Sequence, residues 1–167
     1  MFGRSKAQRD EEFSRFVAEA RDSLAGTAWL LTGDREQAAD LVQAALVKTY
    51  AAWPRVRGGE ASGYARRALV NENIDRWRKA RPELLVAEVD DPAVADQTEQ
   101  VDRRDELVRA LADLPVQQRT VVVLRYFDDL SERQVAEQLG ISVGAVKSAA
   151  SRGLARLRAG HPEGALS

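Results

Sequence analysis

The chain has 167 residues, 44% hydrophobic and 31% charged, with no cysteine and one histidine. This is the composition of a globular chain of one ordinary or two small domains, and it excludes collagen-like, wholly disordered and disulfide-stapled architectures along with thiolate metal sites and cysteine nucleophiles. The net charge of −1 conceals a split, because residues 1–82 and 107–167 are mildly basic while residues 83–106 carry nine acidic side chains against two basic ones.

Residues 1–10 alternate basic and polar types with no apolar stretch behind them, and the longest aliphatic run is Val121 to Leu124. Neither a signal peptide nor a membrane span is expected, which places the chain in the cytoplasm. The first helix is predicted from about Asp10 to Leu31, because Phe13, Phe16, Val17, Ala20, Leu24, Ala28 and Leu31 recur at helical spacing. Thr32-Gly33-Asp34 then reads as a stop, a C-terminal glycine and an N-cap. A second helix follows, from about Arg35 to Trp53, ended by Pro54. After the glycine-containing stretch Arg55 to Ala61, Ser62 is placed to cap a third helix of about Gly63 to Ala80, stopped by Pro82.

Residues 83–102 are acidic, broken by Pro92 and without periodicity, and read as a flexible linker between domains. Beyond them Leu107, Val108, Leu111 and Leu114 give a helix ended by Pro115, and Val116 to Phe127 another. The run Val121-Val122-Val123-Leu124 has strand propensity, yet nothing elsewhere in the chain has the composition of a pairing partner, so helix is the better reading.

From Leu130 the pattern sharpens. Ser131 and Gln134 form a capping box that opens a short helix carrying Val135, Ala136 and Leu139, which Gly140 ends. Ser142 caps the next helix, whose inward residues are Val146, Ala150, Leu154 and Leu157. Ala136 allows close approach, Gly140 allows the positive φ of the turn, and Val146 fills the angle between the helices, so the pair reads as a helix-turn-helix. The opposite face of the second helix presents Ser142, Gly144, Ala145, Lys147, Ser148, Ser151 and Arg152, small or hydrogen-bonding residues able to enter a major groove. A solvated amphipathic face would explain Lys147 and Arg152 on an arbitrary helix; the turn spacing favours DNA. Arg156 and Arg158 lie further along and suit phosphates or solvent.

The third helix is the second basic surface. Arg67, Asn71, Asp75 and Arg78 share one face, joined by Arg76 and Lys79, while Val70, Ile74 and Trp77 form an apolar stripe beside them. Guanidinium, amide and carboxylate groups next to an aromatic suit unpaired bases, whose edges and faces are both accessible. A face of solvated i,i+4 ion pairs fits the charges equally well, and Trp77 reads as core before it reads as a stacking platform.

With these residues in view the chain resembles the bacterial RNA polymerase sigma factors of the extracytoplasmic function (ECF) group of the sigma-70 family, and its LVNENIDRWRK and VVVLRYF segments look most like an actinobacterial subgroup. Ala39-Asp40-Leu41-Val42-Gln43 is similar to that family's polymerase-binding segment, Asn71 and Asp75 match its promoter-melting segment, and residues 114–152 resemble its second domain nearly throughout. The resemblance implies an all-α fold of two small helical domains, residues 1–82 and 103–160, joined by the acidic linker at 83–102 and followed by a tail at 161–167. It implies that Asp40, Leu41, Gln43, Val47 and Tyr50 dock on core RNA polymerase. It also implies that Arg67, Asn71, Asp75, Arg76, Arg78 and Lys79, with the loop Arg57 to Ser62, engage the minus-ten element and hold an extruded base. The helix-turn-helix, through Ser142, Gly144, Lys147, Ser148, Ser151 and Arg152, would read the minus-thirty-five duplex, and the acidic linker would mimic nucleic acid in the channel later used by RNA.

Two positions depart from the family pattern: Ala44 where an acidic residue is common, and Glu72 on the melting helix. Promoter DNA and core polymerase are the partners implied, with no cofactor, metal or small-molecule substrate. An anti-sigma factor wedged between the domains is a further partner that the resemblance allows and no residue demonstrates. A stand-alone helix-turn-helix regulator would use the same reading head but leave the first domain without a task. An enzyme built on the acid pairs Asp90-Asp91 or Asp128-Asp129 lacks further ligands, and the one histidine, His161, sits in the tail.

Overall fold

A computed structural model describes residues 3–80 and 103–160, and every regular element among them is helical. The acidic linker, Pro92, the Asp90-Asp91 pair, His161 and the tail lie outside the described residues. Helix α1 (Lys6–Thr32) begins four residues before the expected Asp10. The cause is a second capping box: Ser5 Oγ accepts from the Gln8 amide at 3.2 Å while Gln8 Oε1 accepts from the Ser5 amide at 3.1 Å. Gly33, at φ 67°, turns the chain and donates its N–H to the Trp29 carbonyl.

Helix α2 (Arg35–Ala51) is capped by Asp34, whose side chain accepts from the Gln37 amide at 3.0 Å. It stops short of Trp53, which instead opens a one-turn helix α3 (Trp53–Val56) with Pro54 in its first turn, where an absent N–H leaves no bond unmade. Helix α4 (Ala61–Ala80) starts at Ala61, so Ser62 lies within its first turn and does not cap it. Leu24, Ala28, Leu31, Leu41, Ala45, Ala65 and Leu69 fill the space between α1, α2 and α4. Phe13, Phe16, Tyr50 and Trp53 form an aromatic cluster beside it, with ring centroids 5.1–5.3 Å apart from Phe13 to Tyr50 and Trp53 and from Phe16 to Trp53.

The second unit comprises α5 (Arg103–Ala112), α6 (Val116–Val122), a π-helical turn Val123–Phe127, α7 (Glu132–Leu139) and α8 (Val143–Gly160). The aliphatic run is helical as expected, with Val121 to Leu124 all fully buried, but the α-helix does not continue to Phe127. The Asp128 amide reaches back five residues to the Val123 carbonyl at 3.1 Å, widening the last turn, and Arg125 Nη1 closes it on the Leu130 carbonyl at 2.5 Å. Helices α6 and α8 cross at Gly153, where an added Cβ would lie 2.8 Å from Val122 Cγ2.

The two units are packed together, although the sequence reads as two domains on a tether. Thr27 and Leu30 lie off the apolar stripe of α1 but are buried, and α1 packs on α5 and the π-helical turn. Thr27 Oγ1 donates to Asp128 Oδ1 at 2.8 Å. Arg119, on α6, donates from Nη1 to the Leu31 carbonyl in the last turn of α1 at 2.9 Å. Its remaining donors reach the carbonyls of Leu111, Leu114 and Ala112 at 2.9, 2.9 and 3.3 Å. One buried guanidinium therefore seals the C-terminal ends of two helices, where partial negative charge collects.

Candidate polymerase and promoter interfaces

On α2, Asp40, Gln43 and Val47 follow one another at three and four residues and are all exposed, Val47 at 59%. An aliphatic side chain that open, flanked by an acid and an amide, forms the centre of a small mixed patch. Leu41 does not belong to it. It is 1% exposed and packed in the core, because the residue after Asp40 faces about 100° away on a helix. Tyr50 is half-buried, and its hydroxyl donates to Asp10 at 2.5 Å, which with burial holds its pKa above the ordinary tyrosine value. It ties α2 to α1, leaving Asp40, Gln43 and Val47 as the open surface.

On α4, Arg67, Asn71, Asp75, Arg76, Arg78 and Lys79 are all exposed, with Val70 buried beneath them and Ile74 packed against the core. Trp77 is half-buried. Glu72, which departs from the family pattern, is an organiser of this face. Its carboxylate accepts from Lys48 Nζ of α2 at 2.9 Å and from Arg76 Nε at 3.1 Å. These two hydrogen bonds hold its pKa below the ordinary carboxylate value. Arg76 is thereby restrained beside Glu72, while the side chains of Arg67 and Arg78 carry no such tie to it. The turn from Arg57 borders an open cleft at the start of α1, where Arg4, Glu12, Phe16, Trp53 and Arg57 meet. Glu12 pairs with Arg4 and lies 3.9 Å from Arg57, and the indole Nε1 of Trp53 is buried with no acceptor.

In the second unit the helix-turn-helix forms as the spacing predicts. Ser131 and Gln134 make both capping-box bonds, at 2.8 and 3.1 Å, and Gly140 adopts φ 67°. The Ile141 amide closes the turn on the Ala136 carbonyl at 3.1 Å, and Ser142 Oγ caps α8 through the Ala145 amide at 3.0 Å. Val146 is fully buried in the angle. Ser142, Gly144, Lys147, Ser148, Ser151 and Arg152 are exposed along one side of α8. Lys147 Nζ is 3.8 Å from Glu132 Oε2 on α7, a loose surface pair that a phosphate or base edge would displace at little cost. Tyr126 and Phe127, exposed at 47% and 42% on the π-helical turn, form an apolar spot whose position the sequence does not signal, because a regular α-helix would have turned them differently.

Comparison with known families places these surfaces in context. Residues 16–83 match the family model for sigma-70 region 2, and residues 104–157 match that for sigma-70 region 4. The RNA polymerase sigma-E factor of Streptomyces avermitilis is 40% identical over 149 residues, covering 88% of this chain and 83% of that protein. The ECF RNA polymerase sigma factor SigM of Mycobacterium tuberculosis is 35% identical over 131 residues, covering 78% and 67% respectively. Among solved structures, the sigma factor RpoE of Bartonella quintana, determined in complex with the anti-sigma factor NepR, superimposes with a TM-score of 0.67. It covers 89% of this chain and 96% of that one at 24% identity, a likeness of fold.

Proposed function

This chain belongs to the sigma-70 family as an ECF sigma factor that directs promoter-specific transcription, and from that premise we propose how its residues divide the work. Asp40, Gln43 and Val47 contact core RNA polymerase. The α4 face of Arg67, Asn71, Asp75, Arg78 and Lys79 engages the minus-ten region, with Arg76 held in reserve by Glu72. The cleft bordered by Arg57 receives an extruded base, whose unstacking cost is offset by contact with Phe16 and Trp53. Ser142, Gly144, Lys147, Ser148, Ser151 and Arg152 read the minus-thirty-five duplex in the major groove.

The observation that carries this division is the coexistence, in one chain, of an exposed helix-turn-helix reading face with a second basic helix of different chemistry. A duplex reader alone has no use for the second. The stand-alone regulator is accordingly not favoured. In this reading the factor directs initiation and the polymerase supplies the catalysis. It acts where polymerase acts, in the bacterial cytoplasm, and the described residues contain no helix long and apolar enough to cross a membrane. An anti-sigma partner is an open addition to this scheme.

The test is run-off transcription by sigma-free core polymerase, with and without the protein, on sheared genomic DNA from its source. New discrete transcripts are expected. Binding to core without transcripts would remove the minus-ten assignment, and failure to bind core would refute the α2 assignment.

A further inference from the structure

We propose that Lys48 of α2 and Arg76 of α4 together form a binding site for a backbone phosphate of the unpaired promoter strand, and that Glu72 occupies this site in the free protein as a stand-in for the phosphate. It rests on the minus-ten reading of α4 above, in which Lys48 has no part.

Two cations from different helices converge on one carboxylate. Lys48 Nζ donates to Glu72 Oε2 at 2.9 Å across 24 positions of sequence, and Arg76 Nε donates to Glu72 Oε1 at 3.1 Å, so each carboxylate oxygen is taken by one donor. Support of α4 alone needs only the second of these bonds, since Glu72 and Arg76 stand at i,i+4 on that helix. Lys48 is brought in from outside. The position one turn before it is Ala44, which offers no side-chain acceptor, so its carboxylate comes from the other helix. A phosphodiester presents what Glu72 presents, two oxygens on one centre sharing a single negative charge, and lysine and arginine are the side chains that take it.

The arrangement is open to a ligand. The Lys48 and Arg76 side chains are 48% and 42% exposed, whereas that of Glu72 is 23% exposed, so the carboxylate forms the floor and the cations the rim. The bonds to Glu72 engage one donor each of groups that carry several. Pairs this exposed hold weakly and weaken further with salt, so a phosphate carried in by a bound strand displaces the carboxylate without breaking a buried contact. The same two bonds hold the Glu72 pKa below the ordinary carboxylate value, so near neutral pH it competes as an anion.

The site also lies where a strand backbone has to pass. Asn71 and Asp75 immediately precede Glu72 and Arg76 and stand about 100° round the helix from them, and Val47 of the polymerase patch immediately precedes Lys48. A strand whose bases turn toward Asn71 and Asp75 carries its phosphates along the flank of Lys48 and Arg76, with Lys79 one turn further on. Glu72 thereby sets a threshold. A strand held by its base contacts delivers a phosphate in place, whereas a nucleic acid without them meets a negative charge.

The first measurement titrates the free, full-length protein with a fluorescein-labelled single-stranded oligothymidylate at several salt concentrations. Glu72→Gln keeps the shape and removes the charge. It should bind about threefold or more tightly than wild type at low salt, with a slope of log affinity against log salt steeper by about 0.7, the value for one phosphate on a single strand. Lys48→Gln added to Glu72→Gln should return both quantities to near wild type. An unchanged Glu72→Gln, or a gain that survives Lys48→Gln, would overturn the site. All three side chains are at least partly exposed, and circular dichroism checks that each variant is folded. Because any lost negative charge favours DNA, the position of the contact is tested separately in the holoenzyme with core polymerase. On a promoter mapped by run-off transcription, a neutral methylphosphonate replaces one linkage at a time in the non-template strand. The advantage of Glu72→Gln should vanish at a single linkage or at immediate neighbours; a loss spread evenly along the strand would be a general charge effect and would overturn the proposal. If wild type gives no transcripts with core, the sigma-factor reading itself fails, while the oligothymidylate titration still reports whether Lys48 and Arg76 take a phosphate.

Discussion

Arg119 lends itself to a quantitative test because nearly all of its bonding capacity is committed. Four backbone carbonyls accept from it, three at 2.9 Å and one at 3.3 Å, and its side chain is 9% exposed. Burial lowers its pKa from the usual guanidinium value, with Asp113 opposing that shift, yet a guanidinium remains charged at any accessible pH. Each bond contributes about 1 kcal/mol net, and removing the donor strands carbonyls at two helix ends, so Arg119→Ala should lower the unfolding free energy by about 3–5 kcal/mol. Arg119→Lys keeps the charge but lacks the planar fork that reaches several acceptors at once, and should lose about 1–3 kcal/mol. Urea unfolding followed by circular dichroism reads both. An Arg119→Ala loss below about 1 kcal/mol, or a fully stable Arg119→Lys, would refute the idea that one guanidinium seals both helices.

Other outcomes follow from single contacts. Val47→Asp should weaken core polymerase binding by about tenfold or more in a pull-down titration while leaving the circular dichroism spectrum unchanged, since Val47 is 59% exposed. Lys147→Ala or Arg152→Ala should cost about 1–3 kcal/mol of promoter affinity in the holoenzyme, confined to one minus-thirty-five position for a base contact and uniform for a phosphate contact, as a promoter substitution series would show. Glu72→Gln should release Arg76 and steepen the salt dependence of holoenzyme binding to unpaired minus-ten DNA; an unchanged slope would mean Arg76 stays out of reach of phosphate. Asp128 gives the pH prediction. Burial raises its pKa, opposed by the Thr27 hydrogen bond and the nearby Arg66 charge and assisted by Asp129. The folded chain thus favours the protonated carboxyl, so this group's contribution to stability is fullest in acid and is lost as pH rises through its folded-state value. Asp128→Asn should flatten that part of the pH dependence of urea unfolding.

What the sequence disclosed was whatever follows a period or a cap. The stripe of α1, the Ser131 capping box, the Gly140 turn and the buried Val146 all appear where local chemistry puts them. The matching Ser5 and Gln8 box is not legible in the sequence because no large apolar residue follows until Phe13, so nothing marks a helix start there. Leu41 shows the limit of segment matching: a stretch assigned to a partner still donates alternate residues to its own core. The π-helical turn has no sequence signature, since Val123 to Phe127 fit an α-helix equally well residue by residue. The docking face was hidden for a more general reason. Thr27, Gly33, Arg104 and Arg119 are the residue types of a solvated surface, and only a partner 75 or more residues away in sequence reveals them as contacts.

The contact between the units is nevertheless apolar at its centre: Leu24, Ala28 and Leu31 of α1 belong to one buried cluster with Val108, Leu111 and Leu114 of the second unit. A hydroxyl, a guanidinium and a cation over an indole add directional contacts to it. Arg119 is the residue that makes this arrangement robust, because three of its four carbonyls lie in its own unit. Releasing Leu31 costs it one bond, and the helix-turn-helix it supports stays folded for the promoter.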